Sequence, residues 1–374
     1  MRLLGNHEYE GAPQTLCRSR SDPSLPAFEL LQGDTLHTTT CMEFKRLTRH
    51  KTMAGNPFSF DAPPKMKGLF VGSGSDGLNE PWMTRAILDL IEDKSKTPNV
   101  LYLGTATYDL PGPRQRQTHC FVEAGCEVTS LDVTFGVPHD MALKVEAADV
   151  IVVSGGNTLY AVDRWKHMGL HDLLRRAMHR GAVLTGGSAG GICWFDGGHS
   201  DCMDPSTFRE AMLAAVDKEG DESSDAPRCA KDKQSWEYVR VDALAFLPGL
   251  VCPHHDKKQS NGVLRATSFD AMLLAHPNEF GIGIDHWAAL ELHDGNFRVL
   301  SVEGKEGSVL PDGTFSPDRA GVPGIWLKKV QDDGRVHSML CPQSGKISHL
   351  LRIPSRIDHD PRVDECRRLN PPAH

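Results

Sequence analysis

Three glycine-rich turns carry the side chains whose types and spacing suit catalysis, and each turn directly follows a short apolar run. They are Gly72 to Gly77 (GSGSDG), Gly155 to Thr158 (GGNT) and Gly186 to Gly191 (GGSAGG). In open α/β sheets, ligands bind where strands end and helices begin. We therefore expect the functional groups to lie at these three strand exits.

The third turn matches the pattern G-x-S-x-G between a predicted strand and a predicted helix, with Ser188 at its centre. This context is typical of a nucleophile elbow, in which small neighbours let a serine project its hydroxyl group. The Ala189 amide at the helix start and the Gly156 amide of the second turn are suited to stabilise an oxyanion. Asn157, next to Gly156, offers a side-chain donor and acceptor and is a candidate substrate-binding residue. The alternatives are plainer: Ser188 and Asn157 each cap the helix that follows.

A serine hydroxyl is a weak nucleophile and needs a general base. The apolar run Gly249 to Cys252 leads into Pro253, His254, His255 and Asp256. Either His254 or His255, held at this exit by the preceding proline, can face Ser188 across the sheet edge. The same cluster also suits a metal site, but no second cluster with ligand spacing accompanies it.

The first turn formally matches the dinucleotide-binding pattern G-x-G-x-x-G. That interpretation also requires an acidic residue after the second strand, to bind the ribose. The chain instead has Gly104 to Thr107 (GTAT) at that place. A nucleotide-binding module is therefore the less favoured alternative.

The elements that position these turns alternate between short apolar runs and longer segments of helical spacing, as in parallel sheets covered by helices. The predicted strands are Gly68–Gly72, Val100–Gly104, Glu127–Leu131, Val150–Ser154, Ala182–Gly186, Gly249–Cys252, Phe280–Ile284 and Ala288–Leu292. The predicted helices are Pro81–Glu92, Arg114–Ala124, Leu159–Arg180 and Leu264–Ala275. This order predicts a three-layer α/β/α domain at residues 66–310, with a doubly wound, mostly parallel sheet.

The remaining segments lack this alternation. Residues 1–65 are polar, have no sustained period and predict a disordered leader. Residues 311–374 contain many prolines and predict a mostly irregular C-terminal extension, with a short strand at Gly324–Val330. Residues 196–238, which include the acidic run Glu219–Asp225, predict a long insertion across the carboxyl edge of the sheet.

Composition narrows the class of partner. The 374 residues include 41 Lys and Arg against 49 Asp and Glu, a net charge of −8, which argues against nucleic acid or an anionic membrane as partner. No apolar stretch approaches the roughly 20 residues of a spanning helix, and no signal-peptide pattern is present. Ten cysteines without a C-x-x-C pair predict free thiols and a reducing, cytoplasmic location. The chain length is compatible with a monomer or a homodimer.

The motifs around Asn157, Ser188 and His254, in that order, resemble those of peptidase E, the aspartyl dipeptidase, and of its relative cyanophycinase. The resemblance covers about residues 66–300. It implies a class I glutamine-amidotransferase-like sheet and a serine peptidase that uses neither a metal nor an organic cofactor. It further implies that Ser188 is the nucleophile, that His254 is the general base, and that Gly156 and Ala189 form the oxyanion hole.

Four more positions follow from the same resemblance. Asp201 matches an aspartate that the family needs for activity, with histidine orientation or binding of the substrate's amino terminus as implied roles. Arg265 matches an arginine that pairs with the carboxylate of an N-terminal aspartate. The family's acidic third triad member lies just beyond the strand Phe280–Ile284, where this chain has Asp285 and then His286. His286 takes the matching position, so the third member stays open between His286, Asp285 and Asp201.

The expected function is a serine peptidase that cleaves short acidic peptides, with N-terminal aspartyl dipeptides as its small peptide substrates. One alternative is a cyanophycinase-like hydrolase of aspartyl-arginine linkages. The other is a catalytically weakened binding homologue that keeps the cleft but has lost the triad acid.

Overall fold

The protein was analysed as a computed structural model that describes residues 59–60, 62–219 and 235–371. All of these residues belong to one compact unit, Pro57–His374. Most of the predicted leader, residues 1–65, and nearly all of the acidic run Glu219–Asp225 lie outside the described residues. Within the described ranges, no helix is long and apolar enough to cross a membrane.

Strands and helices alternate along most of the chain. The strands are β1 (Lys67–Val71), β2 (Asn99–Leu103), β3 (Glu127–Ser130), β4 (Val150–Val153), β5 (Val183–Gly187), β6 (Phe195–Ser200), β7 (Val239–Asp242), β8 (Leu247–Cys252), β9 (Gly281–Ile284), β10 (Ala288–His293), β11 (Asn296–Ser301), β12 (Ile325–Val330), β13 (Val336–Leu340) and β14 (Ser344–Lys346). The α-helices are α1 (Ser75–Leu78), α2 (Pro81–Asp89), α3 (Pro111–Glu123), α4 (Met141–Ala147), α5 (Thr158–His167), α6 (Leu170–Arg180), α7 (Ala189–Ile192), α8 (Arg209–Glu219), α9 (Arg265–Ala275), α10 (Ile347–Leu350) and α11 (Arg362–Leu369).

The strands form two sheets. The first has the order β14-β11-β10-β1-β5-β4-β2-β3. Its five neighbouring strands β1, β5, β4, β2 and β3 run parallel to one another. The second has the order β13-β12-β9-β8-β6-β7, with parallel pairs at its centre and antiparallel pairs at its edges. The predicted α/β class is confirmed, but the strands are divided between two sheets where the sequence pattern suggested one.

Apolar residues on both faces of the first sheet explain its three layers. Along β1, Leu69 and Val71 pack in one buried cluster with Met83 of α2 and Phe121 of α3. Phe70 between them points to the opposite face, where the larger cluster also includes α5, α6 and parts of the second sheet. Successive strand residues point to opposite faces, so a strand covered by helices on both faces has a continuous apolar sequence.

All eight predicted strands are present with shifts of at most two residues. The predicted helix Leu159–Arg180 is instead two helices, α5 and α6, because Gly169 adopts a left-handed conformation with φ 75°. The predicted insertion at residues 196–238 overlaps an unpredicted strand, β6, which begins one residue earlier. Its glycines are explained by close packing, since a Cβ on Gly198 would lie 2.6 Å from the Val251 oxygen.

The C-terminal segment joins both sheets. Residues 311–371 contain the expected strand, here β12, which pairs with β9, and they also contain β14, which pairs with β11. The segment is thus an integral part of the sheet architecture, although much of it has no regular structure. The boundaries at residues 65 and 310 stay predictions.

Candidate active site

Ser188 lies in a sharp turn between β5 and α7. Its backbone angles, φ 54° and ψ −119°, are sparsely populated for a residue with a side chain. The turn needs small neighbours, because a Cβ on Gly187 would lie 1.9 Å from the Ser73 oxygen and one on Gly190 would lie 2.1 Å from the Val153 oxygen. The side chain of Ser188 itself is partly exposed. This is the strand–turn–helix geometry of a nucleophile elbow.

His254 lies beside Ser188 at the end of β1. The Ser188 amide donates to the Val71 oxygen at 3.2 Å, and the His254 amide donates to the next carbonyl, that of Gly72, at 2.9 Å. The two side chains do not hydrogen-bond to each other in the described chain. Such contacts are often long without substrate and shorten when it binds. One short stretch of backbone therefore holds both residues at the same sheet edge.

His286 contacts His254 through its imidazole ring. The two Nδ1 atoms are 2.8 Å apart, so one of them donates and the other accepts. Burial, together with the nearby Arg265, lowers the pKa of His254 well below its ordinary value. Burial, together with Lys257, lowers the pKa of His286 to about 4. Both rings are therefore neutral at pH 7, and the His286 ring lies on the Nδ1 side of His254.

Asp285, the carboxylate next to His286 in sequence, points elsewhere. Its Oδ1 atom lies 3.4 Å from Nδ1 of His255, and its Oδ2 atom accepts from the Ser308 amide and from the Gly324 amide, each at 3.0 Å. Burial raises its pKa to about 6. Asp285 thus holds loops together and does not contact His254, because successive residues after a strand point in different directions.

Asp201 contacts Arg265 rather than a histidine. Its Oδ2 atom accepts from Gln259 at 3.1 Å and from the Arg265 guanidinium at 3.4 Å. Arg265 is 1% exposed; it also donates to the His199 oxygen and to Gln259, and it stacks over Tyr238. The suggestion that Asp201 orients the base is not supported by this geometry. A substrate carboxylate would reach Arg265 only by displacing these partners.

Two backbone amides near Ser188 are suited to bind an oxyanion. Within the described residues, the amides of Gly156 and Ala189 have no hydrogen-bond acceptor in the protein. The Ser188 side chain lies between two other glycines, since a Cβ on Gly155 would approach its Cβ to 3.6 Å and one on Gly74 to 3.9 Å. Unpaired amides beside a serine can bind negative charge that develops on a carbonyl oxygen.

Asn157 is buried and serves as a helix cap. Its Oδ1 atom accepts from the Tyr160 amide at 3.0 Å at the start of α5. Its Nδ2 atom donates to the Thr207 hydroxyl at 3.1 Å and to the Cys202 carbonyl at 3.4 Å. These contacts use both its acceptor and its donor atoms, so the geometry favours the capping interpretation over substrate binding.

The structure adds two carboxylates that sequence reasoning did not assign to the site. Asp256 accepts from the His286 amide at 2.7 Å and from Arg319 at 2.7 Å. Asp76, in the first glycine-rich turn, lies 2.9 Å from Nε2 of His286. Asp256 could have been found from its place after His255, whereas the 210 residues between Asp76 and His286 leave no local signal. No group of three or more His, Cys, Asp or Glu side chains suited to a metal occurs in the described ranges.

Comparison with known proteins identifies the family. The model of peptidase family S51 matches residues 69–300, which is more than half of the chain. The chain belongs to peptidase family S51. The match contains Ser188, His254 and His286, and it confirms the resemblance to peptidase E-like proteins. This S51 member is therefore assigned to a family of peptidases.

Two relatives are similar along much of the S51 chain. A protein of Trypanosoma brucei brucei, named G2/mitotic-specific cyclin-1, is 30% identical over 331 residues, which are 82% of this chain and 94% of that protein. The uncharacterized peptidase YgaJ of Bacillus subtilis (strain 168) is 29% identical over 216 residues, or 57% of this chain and 77% of YgaJ.

Two solved structures also resemble this S51 member. A putative peptidase E protein from Listeria monocytogenes EGD-e has 16% identity and a TM-score of 0.42, with coverage of 64% of this chain and 99% of that one. A peptidase from an acI-B1 Actinobacterium has 18% identity and a TM-score of 0.49, with coverage of 76% and 98%.

Proposed function

We propose that this S51 member is a serine peptidase that hydrolyses short acidic peptides, preferentially dipeptides with an N-terminal aspartate. The observation that carries the proposal is the pairing of the Ser188 elbow with His254, whose amides donate to consecutive carbonyls of one strand end. The unpaired amides of Gly156 and Ala189 support it, because acyl transfer needs donors beside the nucleophile.

The proposed reaction has two steps, acylation of Ser188 and hydrolysis of the acyl-enzyme. His254 takes the Ser188 proton at Nε2 as the hydroxyl attacks the peptide carbonyl, and the amides of Gly156 and Ala189 bind the resulting oxyanion. His254 then gives that proton to the leaving amine, and an acyl-enzyme remains on Ser188. Water, deprotonated by the same histidine, hydrolyses this ester. His254 can accept the Ser188 proton because its ring is neutral at pH 7, since burial lowers its pKa below the ordinary value.

The preference for aspartate rests on the family resemblance of Asp201 and Arg265. Both residues lie in one buried cluster, in which Asp201 accepts from Arg265. For Arg265 to bind a substrate carboxylate, that carboxylate has to replace Asp201 or Gln259 as an acceptor.

We further propose that residues 66–310 form the catalytic domain, that residues 1–65 are a leader, and that the protein is cytoplasmic. The seven cysteines in the described ranges support the location, since all of them are free. Free thiols are the usual state in a reducing compartment.

The test is hydrolysis of Asp-Leu, Leu-Leu and β-Asp-Arg by the native chain and by Ser188→Ala, together with labelling by a fluorophosphonate probe. We expect Asp-Leu cleavage and labelling that both vanish in Ser188→Ala. The matched control is Ser355→Ala, which changes an exposed serine and should leave both unchanged. A preference for β-Asp-Arg would instead indicate cyanophycin turnover, and the absence of Ser188-dependent cleavage and labelling would favour a binding homologue.

A further inference from the structure

The glycine-rich turn after β1 carries an acidic side chain to the catalytic histidines. Nε2 of His286 lies 2.9 Å from Oδ2 of Asp76, and the opposite ring nitrogen, Nδ1, lies 2.8 Å from His254. His254, His286 and Asp76 therefore form a row of three side chains, and Ser188 lies at the same sheet edge. The first turn, which sequence reasoning considered for dinucleotide binding, here contacts the peptidase site.

Backbone packing holds this turn against His286. A Cβ on Gly72 would lie 1.9 Å from the Asp285 oxygen, so β1 and β9 can end this close together only with glycine there. Gly77 is similarly required, since its Cβ would lie 2.4 Å from a Val71 methyl group. α1, which bears Asp76, thus begins directly beside the residue that follows β9.

His286 is held at three points. Asp256 accepts from its amide at 2.7 Å, and Asp256 is itself paired with Arg319 at 2.7 Å. The two ring nitrogens contact His254 and Asp76. The backbone and both ring nitrogens of His286 are thus engaged. What these contacts leave open is which of the two ring nitrogens carries the proton.

Asp76 determines which ring nitrogen of His286 carries the proton. An ionised carboxylate only accepts hydrogen bonds, so the proton of neutral His286 lies on Nε2 and its Nδ1 has a lone pair. His254 must then donate from Nδ1, which leaves the lone pair on Nε2 for the Ser188 proton. In the opposite arrangement, Nδ1 of His286 would donate and His254 would carry its proton on Nε2, where it cannot act as a base.

We propose that Asp76 is a positioning residue of the peptidase site and, through His286, takes the part that a triad acid plays by direct contact. This inference rests on the proposed role of Ser188. In the acylation step, one proton moves from the Ser188 hydroxyl to Nε2 of His254, and no other proton needs to change place. The positive charge that forms on His254 is then stabilised by the polarised His286 ring and the Asp76 carboxylate behind it.

Other charges surround this row. Lys257 lies near both histidines and lowers the pKa of each, while Arg265 acts on His254 in the same direction. Asp256 and Asp76 oppose Lys257 at His286. The Asp76 side chain is 61% exposed, and an exposed contact of this kind can also be a simple surface interaction. The experiment must therefore separate an effect through His286 from a local one.

The experiment is a double-mutant cycle on the rate of fluorophosphonate labelling. Asp76→Asn should slow labelling of the native chain by about tenfold or more, because the amide can also donate and so allow the wrong tautomer, while Asp76→Glu should restore much of the rate. In a His286→Glu background, a carboxylate can accept directly from His254, so Asp76→Asn should change the rate by less than about twofold. Asp172→Asn is the matched control, since Asp172 is also exposed, at 66%, and lies 3.5 Å from a histidine, His171.

Equal slowing in both backgrounds, or no slowing in the native chain, would overturn the inference. A second measurement does not depend on catalysis: ¹⁵N chemical shifts of the histidine rings should report a proton on Nε2 of His286 in the native chain and a changed tautomer in Asp76→Asn. Unchanged shifts would also overturn the inference. If the native chain does not label at all, the proposed function fails, and the ring shifts alone then decide whether Asp76 sets the tautomer.

Discussion

A Cβ atom on Gly72 would lie 1.9 Å from the carbonyl oxygen of Asp285. The ends of β1 and β9, which belong to different sheets, therefore meet at this glycine. The same two strand ends carry the carbonyl that anchors His254 and the loop that contains His286. One close backbone contact thus brings together parts of the site that are more than 200 residues apart in sequence.

The first prediction follows from this contact. Gly72→Ala should lower the free energy of unfolding by about 3 kcal/mol, because backbone atoms must move to relieve the overlap. It should also slow Ser188 labelling, since the anchor of His254 shifts. Urea unfolding and labelling rates measure the two effects. Gly136→Ala is the control, because a Cβ there meets nothing within 4 Å, and it should change stability by less than about 0.5 kcal/mol.

The second prediction concerns the strained backbone of Ser188. Glycine adopts φ 54° with little cost, whereas a residue with a Cβ is strained by about 1 kcal/mol or more. Ser188→Gly should therefore be more stable than Ser188→Ala by about 1 kcal/mol, although neither variant should label. Denaturant titration of the two inactive variants gives the difference directly. Equal stability would show that the elbow is unstrained.

The third prediction is a loss of stability in mild acid. Burial lowers the pKa of His199, His254, His255 and His286, so they stay neutral in the fold while the unfolded chain binds protons below about pH 6.5. The free energy of unfolding should thus fall as the pH drops from 6.5 towards 4. For His286, with its pKa of about 4, the loss at pH 5 is on the order of 2 kcal/mol. Asp285, whose pKa is raised to about 6, acts in the opposite direction and offsets part of this loss.

Urea titrations at pH 7.5, 6 and 5 measure this slope. His286→Gln cannot bind a proton in this range, so its stability should fall less steeply with pH than that of the native chain. A stability that stays constant between pH 7.5 and 5 in the native chain would contradict the assignment of buried neutral imidazoles.

The fourth prediction separates the structural role of Arg265 from a substrate-binding role. Asp201→Asn leaves a buried guanidinium without its carboxylate and should lower the free energy of unfolding by about 3 kcal/mol. Arg265→Met should also destabilise, and the double variant should recover part of the loss. The control is Arg368→Met, which breaks the exposed pair with Glu365 and should cost less than about 1 kcal/mol. If Arg265→Met keeps full stability but raises KM for Asp-Leu alone, Arg265 serves the substrate instead.

Much of the first sheet could be predicted because its strands are covered on both faces. β4, for example, is a continuous apolar run that is buried throughout. The second sheet was harder to predict because its interior has glycines where other backbones approach. β6 contains Gly197 and Gly198, which read as a loop in sequence but lie inside a strand. The local pattern of apolar and polar residues also does not determine which strands pair with each other.

The candidate site, like the fold, could be predicted only in part from the sequence. Ser188 and a histidine at positions 254–255 could be predicted from the rule that functional groups follow strand ends. The choice of His254 and the candidacy of His286 came from the family resemblance. The partners of Asp201 and Asp285 could not, because a carboxylate near a catalytic residue in sequence can point to any of several neighbours. Asp76 was recognisable only from the fold, since its contact with His286 joins the first and ninth strand ends.

The C-terminal segment, residues 311–374, is synthesised last, and this order affects the newly made chain. Asp285, at the exit of β9, takes hydrogen bonds from Ser308 and Gly324, and β9 pairs with β12. During synthesis, Ser188 and His254 leave the ribosome long before these partners do. A nascent chain that ends before Gly324 carries the nucleophile and the base but lacks the contacts that hold the adjoining His286. The proposed peptidase site would therefore be completed only late in the translation of its own chain.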